Sequence, residues 1–163
     1  MSNAYRGTIK VRFADTDANG HAFFGNYFVF ADEVLGDYWA ELGWDVSDVV
    51  NQDYLTFTVN ANMDFLGESL AGDTLEVEVK SERIGNSSVV IGFNMRNQRT
   101  DETTGRGTFT YVFVDRNTRK SAPMPETFRA ALIERHPELA GPAESTGLGW
   151  FRWANPSHFG HRN

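Results

Sequence analysis

The run Asn26-Tyr27-Phe28-Val29-Phe30-Ala31-Asp32-Glu33-Val34-Leu35-Gly36-Asp37-Tyr38-Trp39-Ala40-Glu41-Leu42 decides the fold. Tyr27, Phe30, Ala31, Val34, Leu35, Tyr38, Trp39 and Leu42 recur at three- and four-residue spacing, which predicts one long helix. Gly43 supplies its stop. From Tyr27 to Ala31 the residues are apolar all round, so other structure should enclose this part of the helix. Asp32, Glu33, Asp37 and Glu41 mark the narrower wet side.

The flanking sequence changes period from helical to two. Thr8 to Phe13 alternates, with Ile9, Val11 and Phe13 on one side, and reads as a half-buried strand. Asp15 to Gly25 is a loop, and Asp45 to Asp53 a linker. Alternation then returns, with Leu55, Phe57, Val59, Ala61, Met63 and Phe65 expected on one face. Further strands are expected over Thr74 to Ile84, Ser88 to Arg99 and Thr108 to Asp115. Turn signals separate them at Ala71 to Asp73, Gly85-Asn86 and Asp101 to Gly107. Pro125 opens a second helix running to about Arg135, and Pro137 ends it. Successive hairpins favour an antiparallel sheet, and only a sheet curled around the long helix would bury it. The expected architecture is therefore α+β and hotdog-like, a five-stranded curved sheet wrapped around a central helix. Residues 1–136 form that domain and residues 137–163 a C-terminal extension whose Trp150 and Trp153 could cap a pocket or an interface. Such a sheet has open edges, so a homodimer or homotetramer is expected.

Composition narrows the function. With 163 residues, 40% of them hydrophobic, the chain supplies one domain with a full core. It has no cysteine, which excludes a disulfide framework, a thiolate nucleophile and a cysteine-ligated zinc, and suits the cytoplasm. Met1 to Lys10 lacks a signal-peptide pattern, and no apolar run approaches the roughly 20 residues of a membrane helix. A net charge of −7 argues against nucleic acid as a partner. A small anionic substrate is still admitted, because it needs only a local basic cluster.

The residues that carry chemistry precede the helix: Asp15-Thr16-Asp17-Ala18-Asn19-Gly20-His21, then Phe23-Phe24-Gly25-Asn26-Tyr27. They set two carboxylates and a histidine in a loop that runs into a helix N-terminus. Unpaired N–H groups and a partial positive charge at such an end can hold a developing oxyanion. A nearby carboxylate can act as base or nucleophile. The segment resembles the signature of the 4-hydroxybenzoyl-CoA thioesterase-like branch of the hotdog superfamily, in which Asp-x-Asp-x-x-Gly precedes an aromatic stretch ending in Asn-Tyr. Gly72-Asp73-Thr74-Leu75-Glu76-Val77, Glu82-Arg83-Ile84-Gly85-Asn86-Ser87-Ser88 and Pro123-Met124-Pro125-Glu126 resemble later segments of the family, in the same order.

The resemblance implies an acyl-CoA thioesterase that hydrolyses an acyl or aroyl thioester of coenzyme A or of a carrier protein, with no cofactor and no metal. It implies Asp17 as nucleophile or general base and the Phe24 backbone N–H as the donor that polarises the carbonyl. Phe23 and Phe24 could line an acyl pocket, Asn26 and Tyr27 would anchor the helix start, and His21 would stand nearby. Asn60, Asn62 and Ser88 are candidates for the partner subunit's share of a site lying between subunits. Some relatives carry histidine where this chain has Phe24, so a mechanism using that imidazole is closed here. Plainer readings stand beside these: Asp17 as a turn or helix cap, Asp15 as loop support, Ser87 and Ser88 as hairpin hydrogen-bonders, His158 and His161 as solvated. No Gly-x-Ser-x-Gly elbow is present. The rival functions are a non-catalytic acyl-CoA-binding hotdog module and, more remotely, a hotdog dehydratase.

Overall fold

The computed structural model describes residues 3–141. In chain order it holds β1 (Tyr5–Lys10), a 3-10 turn (Phe13–Asp15), α1 (Phe24–Glu41) and a second 3-10 segment (Val46–Asn51). Then come β2 (Tyr54–Phe65), β3 (Thr74–Ile84), β4 (Ser88–Asn97), β5 (Glu102–Asp115), α2 (Glu126–Arg135) and a last 3-10 turn (Pro137–Leu139). The strands make one sheet in the order β1-β3-β4-β5-β2, with every neighbouring pair antiparallel. β1 and β2 are its edges. This is the expected hotdog arrangement, a sheet curved about α1.

Register explains how the helix is held. Pairs such as Val77↔Met95 and Ile91↔Phe109 lay rows of apolar side chains on one face of the sheet. Onto that face α1 sets Tyr27, Phe30, Ala31, Val34, Leu35, Tyr38 and Trp39, all buried. Each large side chain so buried contributes about 1.5–3 kcal/mol. Gly7 lets β1 pass close beneath the helix, since a Cβ there would stand 2.9 Å from Val34 Cγ1. At the far end of α1, Phe128 of α2 packs against Trp39, Trp44 and Phe113, each ring centroid 5.6 Å away. His136 closes that end: its Nε2 lies 2.9 Å from the Tyr38 hydroxyl, which also meets Ser81 Oγ at 3.0 Å.

Four details differ from the sequence reading. β1 runs from Tyr5 to Lys10, and Phe13 is 86% exposed instead of facing inward with Ile9 and Val11. The cause is the turn from Arg12 to Asp15, where the Asp15 carboxylate takes the Arg12 N–H at 2.7 Å and ends the alternation. Second, β2 carries a bulge between Thr58 and Asn60. Thr56 and Thr58 pair with Phe113 and Tyr111, while Ala61 and Met63 pair with Phe109 and Gly107. Directly paired residues share a face. Leu55 and Phe57 therefore lie on the side away from the helix, and Ala61, Met63 and Phe65 on the helix side.

Third, β5 begins at Glu102, not near Thr108. Gly105 and Gly107 were read as turn residues, but they serve packing: a Cβ on Gly105 would stand 3.2 Å from Met63 Cε, and one on Gly107 would collide with the Asn62 carbonyl. Fourth, α1 begins two residues early, at Phe24, and is less enclosed than its composition suggests. Phe24 and Val29 are more than half exposed within the single chain.

Candidate active site

The loop before α1 is a tight, hydrogen-bonded structure. The Asp17 N–H donates to the His21 carbonyl at 3.0 Å, and the Gly20 N–H to the Asp17 carbonyl at 3.0 Å. Gly20 sits at φ +84°, a left-handed conformation that glycine adopts without steric penalty. The Asp17 carboxylate accepts the Asn19 N–H at 2.8 Å. That is the Asx-turn role given by the plainer reading, and it also fixes where the carboxylate stands.

Asp15 supports this loop. It is 4% exposed, and its oxygens take the Arg12 guanidinium at 2.7 and 3.1 Å. Those bonds hold its carboxyl below the usual carboxylate range against the opposing effect of burial. Its carbonyl accepts both the Phe23 N–H at 2.9 Å and the Asn26 side-chain amide at 2.8 Å. Asn26 thus ties the first turn of α1 to the aspartate loop. Tyr27, buried one position on, donates to Ser69 Oγ at 3.2 Å, and burial raises its pKa.

A second segment backs the first. Ala22 N–H donates to the Ser69 carbonyl at 2.8 Å, and His21 bridges Leu70. Asp73 holds this backing loop in place. Its carboxylate takes the Leu70 N–H at 2.8 Å, the Asn97 amide at 2.7 Å and the Arg99 guanidinium at 2.6 and 3.0 Å.

Between the two segments lies a cleft of about 580 Å³. Asp17, His21, Phe24 and Tyr27 line it together with Phe65, Leu66 and Glu68. α1 starts with no side-chain cap, and the N–H groups of Phe24 and Gly25 have no hydrogen-bond partner among the described residues. Asp17 and Phe24, the first residue of this uncapped helix, therefore line one cleft whose walls include aromatic side chains. The rings of Phe23 and Phe24 pack at a tilt with centroids 4.5 Å apart, and Phe65 meets Phe24, Tyr27 and Phe28 edge-on.

Not every candidate comes to this cleft. Asn60 and Asn62 lie on β2, on the sheet face turned away from α1, where Asn62 donates to Thr108 Oγ1 at 2.7 Å. Ser88 is buried by the β3–β4 hairpin, where its carbonyl accepts the Gly85 N–H. Within one chain all three lie outside the cleft lining. Sequence reasoning missed Leu66 and Glu68 as cleft residues. They follow β2, some fifty residues from the motif, and only the apolar pair Phe65-Leu66 before Gly67 hinted at a wall there. Among the described residues no group of three potential ligands is placed to hold a metal ion, and no helix is long and apolar enough to cross a membrane.

A curved antiparallel sheet around a long helix defines a hotdog-fold protein, here with a carboxylate loop at the start of that helix. Residues 11–132 match the thioesterase-like superfamily, and the chain belongs to it. It is 29% identical over 135 residues to the 1,4-dihydroxy-2-naphthoyl-CoA hydrolase of Thermosynechococcus vestitus, covering 82% of this chain and 91% of that protein. The fold is similar to that of a 1,4-dihydroxy-2-naphthoyl-CoA thioesterase from Synechocystis, with a TM-score of 0.75 at 19% identity, over 80% of this chain and 96% of the other. It is also similar to a Staphylococcus aureus protein solved in complex with CoA, with a TM-score of 0.77 at 18% identity, over 94% and 96%.

Proposed function

We infer that the protein is an acyl-CoA thioesterase that hydrolyses an aroyl thioester. The observation that carries this reading is the single cleft in which Asp17 and the uncapped start of α1 both stand. The thioester carbonyl takes the Phe24 N–H, which stabilises the oxygen as it gains charge. Asp17 either attacks the carbonyl carbon, expelling the coenzyme thiolate and leaving a mixed anhydride that water then hydrolyses, or takes a proton from a water that attacks as the thiolate leaves. Phe24, Tyr27 and Phe65 form the walls for a flat acyl group, in keeping with the 1,4-dihydroxy-2-naphthoyl-CoA named for the relatives above.

The working form is a homodimer. β2 is an edge strand, and Phe23, Phe24, Val29, Phe65 and Leu66 are each 43–59% exposed around its end and the start of α1. A second copy laid along β2 would cover this apolar margin. Asn60 and Asn62, both exposed on that strand, would be its polar contribution.

The test is thiol release from aroyl-, short-chain and long-chain acyl-CoAs, with Asp17→Asn in parallel. Turnover should be greatest for an aroyl thioester and fall at least about 100-fold in the variant. A folded Asp17→Asn protein of near-normal activity would end the catalytic role. Asp17 would then serve only to accept the Asn19 N–H and hold the turn. Binding of the thioester without product by the unaltered protein would establish the acyl-CoA-binding module instead.

A further inference from the structure

The cleft that holds Asp17 contains a second carboxylate. Glu68 lines it together with Asp17, His21, Phe24 and Tyr27, and no lysine or arginine is among the lining residues. The backbone on either side of Glu68 is fixed. The N–H groups of Leu66 and Gly67 both donate to the Thr104 carbonyl, at 3.0 and 3.2 Å, and the Ser69 carbonyl accepts the Ala22 N–H at 2.8 Å. The Tyr27 hydroxyl donates to Ser69 Oγ at 3.2 Å. Ser69 is fully buried, while Glu68 beside it is exposed and lines the cleft. Counted from the antiparallel bridge between His21 and Leu70, Glu68 comes level with Phe23, next to the first residue of α1.

The Glu68 carboxylate takes no hydrogen bond and joins no ion pair among the described residues. Its field acts on Arg99, but that guanidinium is already bound to Asp73 at 2.6 and 3.0 Å. His21 carries positive charge only when protonated, and its Nδ1 lies 3.3 Å from the Ala22 carbonyl. The cleft therefore presents two carboxylates, Asp17 and Glu68, to whatever enters it. Like charges brought together in a partly enclosed site repel, so such a site rejects an anion in favour of its uncharged isostere. The same repulsion acts on the product. Exchange of the C–S bond for a C–O bond from water turns an uncharged acyl group into an acid that ionises at neutral pH. The uncapped start of α1 favours holding that anion, and Glu68 opposes it.

We propose that Glu68 is a specificity-determining residue that filters by charge: its carboxylate excludes acyl groups that themselves bear a carboxylate, and it hastens departure of the acid released by hydrolysis. This rests on the thioesterase reading above. Asp17 carries the chemistry, and Glu68 sets which acyl groups reach it and how tightly the product stays.

The experiment compares meta- and para-carboxybenzoyl-CoA with the matching carbamoylbenzoyl-CoAs, which keep the shape and lack the charge. The unaltered protein should prefer the carbamoyl substrates in kcat/KM. With Glu68 partly screened by solvent, that preference should shrink about tenfold in Glu68→Gln, through KM, and persist in Glu68→Asp. Titration calorimetry with benzoate should show binding about tenfold tighter in Glu68→Gln than in the unaltered protein. An unchanged carbamoyl-to-carboxy ratio in folded Glu68→Gln, or benzoate binding that does not tighten, would overturn the proposal. So would equal changes in the Gln and Asp proteins, which would assign Glu68 to the shape of its loop. A weakened dimer with an unchanged ratio would also overturn it, placing Glu68 at a subunit boundary. If no thioester is hydrolysed, the thioesterase reading fails, and the benzoate titration alone decides the filter.

Discussion

Replacing Asp73 with alanine tests the account of how the aspartate loop is held. Asp73 is 5% exposed and accepts four hydrogen bonds, from Leu70, from Asn97 and two from Arg99. Hydrogen bonds to a charged group contribute about 1.5–3 kcal/mol each, and an orphaned buried donor costs about 1–3 kcal/mol. The contributions do not add, because the half-exposed Arg99 regains water when its partner is lost. The buried Asn97 amide and the Leu70 N–H have less access to it. The net expectation is a loss of about 3 kcal/mol, from a total of the order of 5–15. With a slope of about 2 kcal/mol/M for urea, the unfolding midpoint should fall by about 1.5 M.

The pH dependence has a definite sign. The Arg99 guanidinium and the other donors hold the Asp73 carboxyl well below its usual range. Its stabilisation is therefore complete above the unfolded pKa of about 3.9 and is lost as pH falls toward the folded value. The alanine protein should show a shallower acid slope below about pH 4. Because Leu70 bridges His21, kcat should also fall in protein that remains folded. A midpoint shift of less than 0.5 M with an unchanged acid slope would refute the clamp.

Two other substitutions probe the ends of α1. Burial lowers the pKa of His136, so stability should fall as pH drops from about 6.5 toward the folded value. His136→Gln should remove that portion of the pH–stability curve measured by urea unfolding, and an identical curve would rule out the effect. Gly20→Ala meets no neighbour within 4 Å, so its cost is the left-handed backbone alone, about 1 kcal/mol net. Its melting temperature should change by a few degrees while kcat drops several-fold, because the turn that holds Asp17 must reshape. A larger melting change with normal kcat would contradict this.

The elements with a clean period were legible in the sequence: β3, β4, α2 and the body of α1. What misled were residues whose role depends on partners far along the chain. Phe13 fits the alternation of β1, but Arg12 and Asp15 close a local turn first and leave it in solvent. Gly105 and Gly107 carry turn chemistry in isolation, and only Met63, Tyr27 and the Asn62 backbone reveal that they admit close packing. The candidate site was legible where it is contiguous, from Asp15 to Tyr27. Leu66 and Glu68 reach the same cleft through the pairing of β2 with β5, which no local pattern encodes. The α1 surface shows the same dependence: Val29 reads as enclosed, yet within one chain it is more than half exposed.

The bulge at Val59 has a bearing on how this strand can change in length. Deleting one residue from a regular strand turns every later side chain to the opposite face, so such losses are ordinarily ruinous. In β2 the ladder already steps from Thr58↔Tyr111 to Asn60↔Thr110, with Val59 left out of the count. Val59 can therefore be removed while each remaining residue keeps its partner and its face. A shorter edge strand is thus reachable from this one in a single deletion. The bend that the bulge imposes would straighten, and the margin offered to a second chain would change with it.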